Sequence, residues 1–230
     1  MATVELYSTS VCPFAHRTRL TLLEKGADFT LTEIDLNNKP DWFTNISPNN
    51  KVPVIKHGDN RVWESTIINE YLDEVFPEPP LMPRDPGKRA LARIWMDFAN
   101  IKLIPTFYKI LLIQDQEKQQ RWIKEFKEHL LFMERGISQT SSNGSYWFGN
   151  ELSLVDLTFY PWFERWSVLE HYRGLSIPDE CQHLKRWWDA MSKRDSVQTI
   201  INPSDFYIKE YENYANGTAS GITAKEMREE

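Results

Sequence analysis

Residues 4–20 read VELYSTSVCPFAHRTRL, and this stretch indicates how the chain begins to fold. Residues 4–8 are rich in β-formers and predict a short strand, while residues 13–25 predict a helix that Pro13 begins and Gly26 ends. Cys12 then lies where the strand turns into the helix. The amides and the dipole of a helix N-terminus favour an anion, which lowers a thiol pKa from ~8.5 to about 3.5–7.5. Cys12 is therefore a candidate thiolate, and the plainer alternative is an inert, buried cysteine.

Ala15 occupies the position at which a CxxC redox motif has its second cysteine. The site therefore cannot close a disulfide of its own, and a thiol from outside would have to resolve any disulfide that Cys12 forms. The other cysteine, Cys181, is interpreted as structural or merely exposed.

Strands and helices alternate as far as residue 76. Residues 29–34, 52–56 and 61–63 predict strands, and residues 57–60 predict the turn of a hairpin. Apolar residues at helical spacing then predict a helix that Pro77 ends, and residues 40–45 predict a short one. The order β-α-β-α-β-β-α fits a small α/β domain, with one parallel βαβ unit followed by a hairpin and a helix.

The rest of the chain has helical patterning. Five of the 13 prolines fall within residues 77–86, which predicts a stiff linker. We therefore expect an α/β domain at 1–76, a linker at 77–86, an all-helical domain at 87–214 and a polar, flexible tail at 215–230. Within the helical domain we expect an apolar stripe over residues 90–101, a kink at Pro105, a second stripe over 122–137 and a polar loop at 138–145. Ser153 and Asp156 predict a capping box, at the start of a central, buried helix.

Charge and composition exclude several classes of function. Lys and Arg number 27 and Asp and Glu number 33, a net charge of −6, which argues against nucleic acid or an anionic membrane as partner. The most apolar stretch, residues 94–113, contains Asp97, Lys102 and Lys109, so we expect no membrane span. The N-terminus does not resemble a signal peptide, which predicts a cytoplasmic protein. Two cysteines and five scattered histidines predict neither a disulfide framework nor a metal site.

Two further pairs of residues could contact a ligand. A cis proline at Val52-Pro53 would present the Val52 backbone to an extended peptide, and the alternative is an ordinary proline at a strand start. Glu64 and Ser65 precede a predicted helix. Ser65 could bind a carboxylate there and Glu64 could accept from an ammonium group, and simple helix capping is the alternative.

Several motifs carry a resemblance to a known family. They are CPFAHRTRL at 12–20, NNKPDWF at 37–43, KVPVI at 51–55, WES at 63–65, EYLDEVFP at 70–77, PWFERW at 161–166 and LKRWWDAM at 184–191. Together, over about residues 3–210, the chain resembles the cytosolic glutathione transferases and, among them, the omega class. The lambda and glutathionyl-hydroquinone reductase groups share the Cys-Pro-aromatic-Ala motif.

The resemblance implies a fold and a set of site residues. The fold is a thioredoxin-like α/β domain, which binds glutathione, followed by an all-α domain, which binds the acceptor substrate. Cys12 matches the catalytic cysteine, and His16 receives no role. Tyr7 and Ser10 resemble residues that activate glutathione in other classes, but we interpret Tyr7 as a core residue. The remaining matches are Phe14 beside the cysteine, Lys39 for the glycyl carboxylate, Val52 with cis Pro53 for the cysteinyl backbone, Glu64 and Ser65 for the γ-glutamyl group, and Trp187 for the acceptor pocket.

The resemblance also implies an activity. We expect an enzyme that transfers thiols through a Cys12–glutathione mixed disulfide, with dehydroascorbate reduction and deglutathionylation as its reactions. Glutathione is then the co-substrate, no metal is needed, and the assembly is a homodimer, with a monomer as the alternative. Two other functions stay open: glutathionyl-hydroquinone reduction, and a non-enzymatic interaction module like the chloride intracellular channel proteins, which have a similar CPF motif.

Overall fold

The computed structural model describes residues 3–141 and 144–229. Met1, Ala2 and Glu230, which the predicted first domain and tail include, lie outside the described residues. The chain forms two compact units, the first ending at Ala92 and the second beginning at Arg93. This division falls within a helix, after the proline-rich segment.

The first unit has the predicted order of strands and helices. One mixed sheet has the strand order β2-β1-β3-β4, in which β1 pairs parallel with β2 and antiparallel with β3, and β4 pairs antiparallel with β3. The short helix expected at 40–45 is a 3-10 turn, Asp41–Asn45. The elements are β1 (Val4–Ser8), α1 (Pro13–Glu24), β2 (Phe29–Glu33), β3 (Val54–His57), β4 (Asn60–Trp63) and α2 (Ser65–Val75).

One of the two buried clusters of this unit lies between the sheet and its two helices. Side chains on one face of β1 and β3 pack against α1 and α2, and fully burying each large aliphatic side chain stabilises the fold by roughly 1.5–3 kcal/mol. This packing fixes the ends of β1 and α1, between which Cys12 lies. The buried cluster consists of Val4, Leu6, Leu22, Ile55, Ile68 and Leu72.

A buried ion pair holds the proline-rich segment against helices α1 and α2. Lys25 of α1 pairs with Asp73 of α2 and also donates to the Pro79 carbonyl at 2.5 Å. Asp73 in turn accepts hydrogen bonds from the backbone amides of Leu81, at 2.7 Å, and Met82, at 3.1 Å. Residues 76–85 form neither helix nor strand, and these contacts hold them in place.

The second unit is helical, as expected. A π-helical turn, Ala99–Leu103, separates its first two helices just before Pro105, where the sequence predicts a kink. The helices are α3 (Pro86–Phe98), which spans the unit boundary, α4 (Ile104–Leu112), α5 (Gln116–Thr140), α6 (Leu154–Glu164), α7 (Trp166–Arg173), α8 (Gln182–Ser192), α9 (Asp195–Ile200), α10 (Ser204–Glu210), α11 (Glu212–Ala215) and α12 (Ile222–Glu229).

Helix α6 is the centre of the second unit, and the capping box at its start is confirmed. Residues 154–163 are all buried. The Asp156 carboxylate accepts from the Ser153 amide at 2.8 Å and the Ser153 hydroxyl at 2.6 Å. It also accepts from the Trp147 amide and from Trp187 Nε1, each at 2.8 Å. Asp156 therefore ties three segments of this unit together.

Two expectations need correction. The polar loop expected at 138–145 begins later, because α5 continues to Thr140, and Ser142 and Asn143 lie outside the described residues. The tail expected to be flexible from residue 215 contains α12, which packs against α4. Ala219 and Ala224 are buried, so small apolar side chains give this polar segment a face that packs.

Candidate functional site

Cys12 directly precedes helix α1 and occupies its N-cap position, as the sequence predicts. Its backbone is extended, with φ −84° and ψ 118°, its carbonyl accepts the first helical hydrogen bond from His16 at 3.0 Å, and Pro13 follows as the first helical residue. The residue is partly exposed. The thiol therefore lies at the positive end of the α1 dipole and remains open to a reactant.

Cys12 and the Val52-Pro53 pair lie side by side. The Val52–Pro53 peptide bond is cis, which confirms that prediction. Cys12 Sγ is 3.9 Å from the Val52 carbonyl oxygen, a distance at which a thiol can donate a weak hydrogen bond. The Cys12 sulfur and the backbone of residue 52 thus lie at one place in the fold.

Lys39 belongs to the same group. Its ammonium donates a 2.7 Å hydrogen bond to the Asn50 carbonyl, two residues before Val52. Burial lowers the pKa of Lys39, and the negative charge of a Cys12 thiolate opposes that shift, so the two side chains are within electrostatic reach of each other. Lys39 is thereby a cation within electrostatic reach of the Cys12 thiol.

Glu64 and Ser65 lie at the start of α2. Glu64 precedes the helix with a φ of 68°, which is uncommon for a residue other than glycine, and its side chain is exposed. Ser65 is the first helical residue. Its hydroxyl accepts a 3.1 Å hydrogen bond from Nη1 of Arg17, a buried residue whose guanidinium lies 5.3 Å from the centre of the Phe14 ring.

Arg17 and Asn49 also belong to this group. From the sequence, Arg17 is expected only as a cation near Cys12, and Asn49 is not expected at all. Arg17 links Phe14 to Ser65, and Asn49 donates to Glu64 at 2.8 Å. Arg17 lies three residues after Phe14, a spacing that places two side chains on one helix face and could have revealed their contact. No local pattern reveals Asn49, because its partner lies 15 residues further along the chain.

Comparison with known proteins identifies the family. The model of the glutathione S-transferase N-terminal domain matches residues 11–75, and the model of the glutathione S-transferase C-terminal domain matches residues 116–190. Glutathione S-transferase omega-1 of Sus scrofa is 32% identical over 204 residues, which cover 88% of this chain and 82% of that protein. The chain belongs to the glutathione S-transferase family.

Solved glutathione transferase structures agree with this assignment. Omega 3C from Trametes versicolor aligns with a TM-score of 0.84 and 29% identity, over 94% of this chain and 91% of that one. A rice glutathione transferase in complex with glutathione aligns with a TM-score of 0.84 and 26% identity, over 95% of this chain and 99% of that one. The thioredoxin-like sheet and the all-helical second unit are thus the glutathione transferase fold, and glutathione is the ligand of this family.

Trp187, expected to line the acceptor pocket of such a transferase, lies in the core instead. Its side chain is 1% exposed, its Nε1 donates to Asp156, and its ring packs edge-on against Phe163 at 4.8 Å. A tryptophan so enclosed cannot contact an acceptor substrate at the surface. The expectation is corrected: Trp187 supports the start of α6.

Tyr7 and Cys181 lie in environments that favour the neutral side chain. The Tyr7 hydroxyl donates to Glu5 at 2.9 Å, and burial raises the pKa of Tyr7 to about 12. Cys181 is fully buried, and burial, followed by the charge of Glu134, raises the pKa of its thiol to about 11. The interpretations of Tyr7 as core and of Cys181 as structural are confirmed.

The described residues contain neither a metal-binding cluster nor a helix that could span a membrane. Across 3–141 and 144–229, His, Cys, Asp and Glu form no group of three or more that could hold a metal ion. Over the same residues, no helix has both the length and the apolar character to cross a membrane.

Proposed function

We propose that this glutathione transferase is a cysteine-type, omega-like enzyme that reduces glutathione mixed disulfides through Cys12. The observation that carries the proposal is the position of the Cys12 thiol, at the start of α1 and 3.9 Å from the carbonyl of the cis Val52-Pro53 pair. A helix N-terminus stabilises a thiolate, and a thiolate is the form that attacks a disulfide.

The charges around Cys12 complement those of glutathione, which carries two carboxylates and one ammonium group. Lys39 is the cation for the glycyl carboxylate, and the Val52 backbone pairs with the cysteinyl residue. The start of α2 at Ser65 receives the γ-glutamyl carboxylate, and Glu64 receives the ammonium. Phe14, stacked against Arg17, forms the wall beside the sulfur.

The reaction proceeds by two thiol–disulfide exchanges. The Cys12 thiolate attacks the glutathionyl sulfur of a mixed disulfide, the Cys12–glutathione bond forms, and the substrate leaves as a thiolate that takes up a proton. A second glutathione, as its thiolate, then attacks the same glutathionyl sulfur. Oxidised glutathione leaves and the Cys12 thiolate is restored. With dehydroascorbate, two glutathione molecules supply the two electrons and become oxidised glutathione.

Conjugation of glutathione to electrophiles should be slow in this enzyme. By exchange with oxidised glutathione or a glutathione mixed disulfide, the Cys12 thiolate displaces the other thiol and holds the glutathionyl group as a disulfide, so that sulfur is no longer a free nucleophile. A hydroxyl at this position would only donate a hydrogen bond that stabilises the glutathione thiolate. We further propose that the enzyme acts in the cytoplasm, where reduced glutathione is available to complete the cycle.

A rate panel tests the proposal. Wild type and Cys12→Ser are assayed with hydroxyethyl disulfide, dehydroascorbate, a glutathionyl-hydroquinone and chlorodinitrobenzene. We expect wild type to reduce the first two, and Cys12→Ser to lose reduction while conjugation persists or rises. Turnover of the glutathionyl-hydroquinone alone would favour that reductase activity instead. Glutathione binding without turnover of any substrate would indicate a non-enzymatic module.

A further inference from the structure

Asn49 contacts the residue that we assign to the ligand's ammonium group. Its Nδ2 donates a 2.8 Å hydrogen bond to Oε1 of Glu64, which joins the loop before β3 to the start of α2. Hydrogen bonds to a carboxylate are roughly twice as strong as those between neutral groups. Within the described part of the chain, the Glu64 carboxylate has this hydrogen bond alone, so it retains sites for a second donor.

The orientation of the Asn49 amide follows from its other contacts. Asn49 Oδ1 accepts from the Lys51 backbone amide at 3.2 Å and lies 3.0 Å from the Ser47 hydroxyl. A backbone amide can only donate, so Oδ1 must face Lys51 and Nδ2 must face Glu64. Ser47 is buried and also accepts from the Lys51 amide at 2.9 Å, which keeps this turn in one conformation.

The orientation of the Glu64 side chain depends on a hydrogen-bond donor from another part of the chain. Its backbone has a φ of 68°, and its side chain is exposed, so local packing does not restrict its rotamers. The Asn49 donor reaches it from a turn that hydrogen bonds between Ser47 and Lys51, and from Lys51 to Asn49, hold in place. Asn49 can therefore hold the carboxylate in one place before a ligand arrives.

The same turn also holds the cation of the site. The Asn50 carbonyl accepts from Lys39, and Asn50 itself has a φ of 54°, a left-handed conformation that asparagine tolerates well. The loop from Ser47 to Val52 thus fixes two opposite charges, Lys39 and Glu64, through neighbouring residues.

We propose that Asn49 is a positioning residue that holds the Glu64 carboxylate toward the α-ammonium of a γ-glutamyl peptide, so that the site selects ligands with a free α-amino group. The inference rests on the proposed function, in which Glu64 receives the ammonium. If Asn49 positions Glu64, its loss should weaken only the part of the ligand's affinity that comes from its ammonium group. A merely structural role in the loop would weaken every ligand equally.

Calorimetric titration separates these roles. The ligands are S-methylglutathione and its deamino analogue, S-methylated glutaryl-cysteinyl-glycine, which differ only in the amino group. Their sulfur is blocked, so binding is measured without disulfide exchange. The proteins are wild type, Asn49→Ala, Glu64→Gln and the double variant. Asn45→Ala is the matched control, because the Asn45 side chain is exposed in the same segment.

We expect wild type to prefer S-methylglutathione. Asn49→Ala should weaken binding of that ligand about tenfold and leave the deamino analogue nearly unchanged. Glu64→Gln should remove the preference, Asn49→Ala should then have no further effect, and Asn45→Ala should behave as wild type. An equal loss for both ligands in Asn49→Ala, or no loss for either, would overturn the inference.

The result of the titration does not depend on whether Cys12 transfers thiols. If wild type shows the preference and Asn49→Ala loses it while Cys12 transfers no thiol, the positioning role stands and the proposed reaction fails. If wild type binds both ligands equally, Glu64 does not receive the ammonium and the inference fails, whether or not Cys12 is reactive.

Discussion

At the scale of single residues, the two cysteines show how surroundings decide chemistry. Cys12 is partly exposed at the start of α1, within electrostatic reach of Lys39. Cys181 also precedes a helix, α8, but it is fully buried, with Glu134 nearby. Burial and a neighbouring carboxylate both disfavour the thiolate of Cys181. A helix start is therefore insufficient by itself, and exposure with a cation distinguishes the candidate nucleophile.

This difference predicts two alkylation profiles. Iodoacetamide labelling of Cys12, followed against pH by peptide mass spectrometry, should show a midpoint below that of free glutathione. The pKa of Cys181 is raised to about 11, so its thiol should stay protonated and unlabelled at pH 6 to 9 until urea unfolds the protein. A Cys12 midpoint at or above that of glutathione would contradict the thiolate assignment.

Lys39 gives a second prediction at this scale. Lys39→Ala should weaken glutathione binding by about 1.5 kcal/mol, roughly tenfold, because a charge-assisted hydrogen bond to the glycyl carboxylate is lost. Lys56→Ala is the control, since Lys56 lies on β3 of the same sheet and pairs with Glu5. Equal dissociation constants for Lys39→Ala and wild type would show that Lys39 is only a surface lysine.

At the scale of elements, the start of α6 organises the second unit. Burial raises the pKa of Asp156, and the hydrogen bonds that its carboxylate accepts from Ser153, Trp147 and Trp187 oppose that shift. Every partner is a donor, so the site suits a carboxylate and not an amide.

Asp156→Asn should therefore destabilise the protein by roughly 2–4 kcal/mol, because the new amide nitrogen would face buried donors. Urea unfolding followed by tryptophan fluorescence measures the change. Asp189→Asn on the surface of α8, where Asp189 pairs with Lys193 at 2.7 Å, should cost less than about 1 kcal/mol. Equal urea midpoints for the two variants would contradict this role of Asp156.

The elements also show where sequence patterns succeed. The strands, α1 and α2 were predicted to within about two residues, since turn residues and apolar periodicity are local signals. The prediction of an apolar stripe over residues 90–101 was less accurate, because two of its members, Ile94 and Ile101, are 61% and 57% exposed. The face that is buried contains small as well as large residues. The π-helical turn also rotates this face away from the position that regular α-helical spacing predicts. That face comprises Ala92, Trp95, Met96, Ala99 and Leu103.

The candidate site likewise contains residues that local patterns predict and residues that only the folded chain brings together. The position of Cys12 at a helix start follows from a local motif. The cis bond at Pro53 does not, because the local pattern fits an ordinary strand-start proline as well, and the resemblance alone implies the cis form. Asn49 does not follow from a local motif either, since its contact with Glu64 exists only after the hairpin and α2 have packed. The resemblance assigned Trp187 to the acceptor pocket, but an indole in an amphipathic helix suits a pocket or a core equally. Its hydrogen bond to Asp156, which joins residues far apart in the chain, is not visible in any local pattern.

At the scale of the whole molecule, the resemblance to the omega class leads us to propose a homodimer. The second unit exposes Ile94, Ile101 and Phe132, apolar side chains that an interface could cover. Light scattering on the purified protein should give twice the mass of one chain, and a dilution series should keep that mass. The mass of a single chain in dilute solution would refute the dimer.

The proposed function requires that one cysteine, Cys12, carries glutathione during the reaction. Incubation with oxidised glutathione, followed by intact-mass measurement and peptide mapping, tests this requirement. Wild type and Cys181→Ser should each gain one glutathione on Cys12, reduced glutathione should remove it, and Cys12→Ser should gain none. An adduct on Cys181 alone, no adduct on wild type, or disulfide reduction that persists in Cys12→Ser would contradict this role of Cys12.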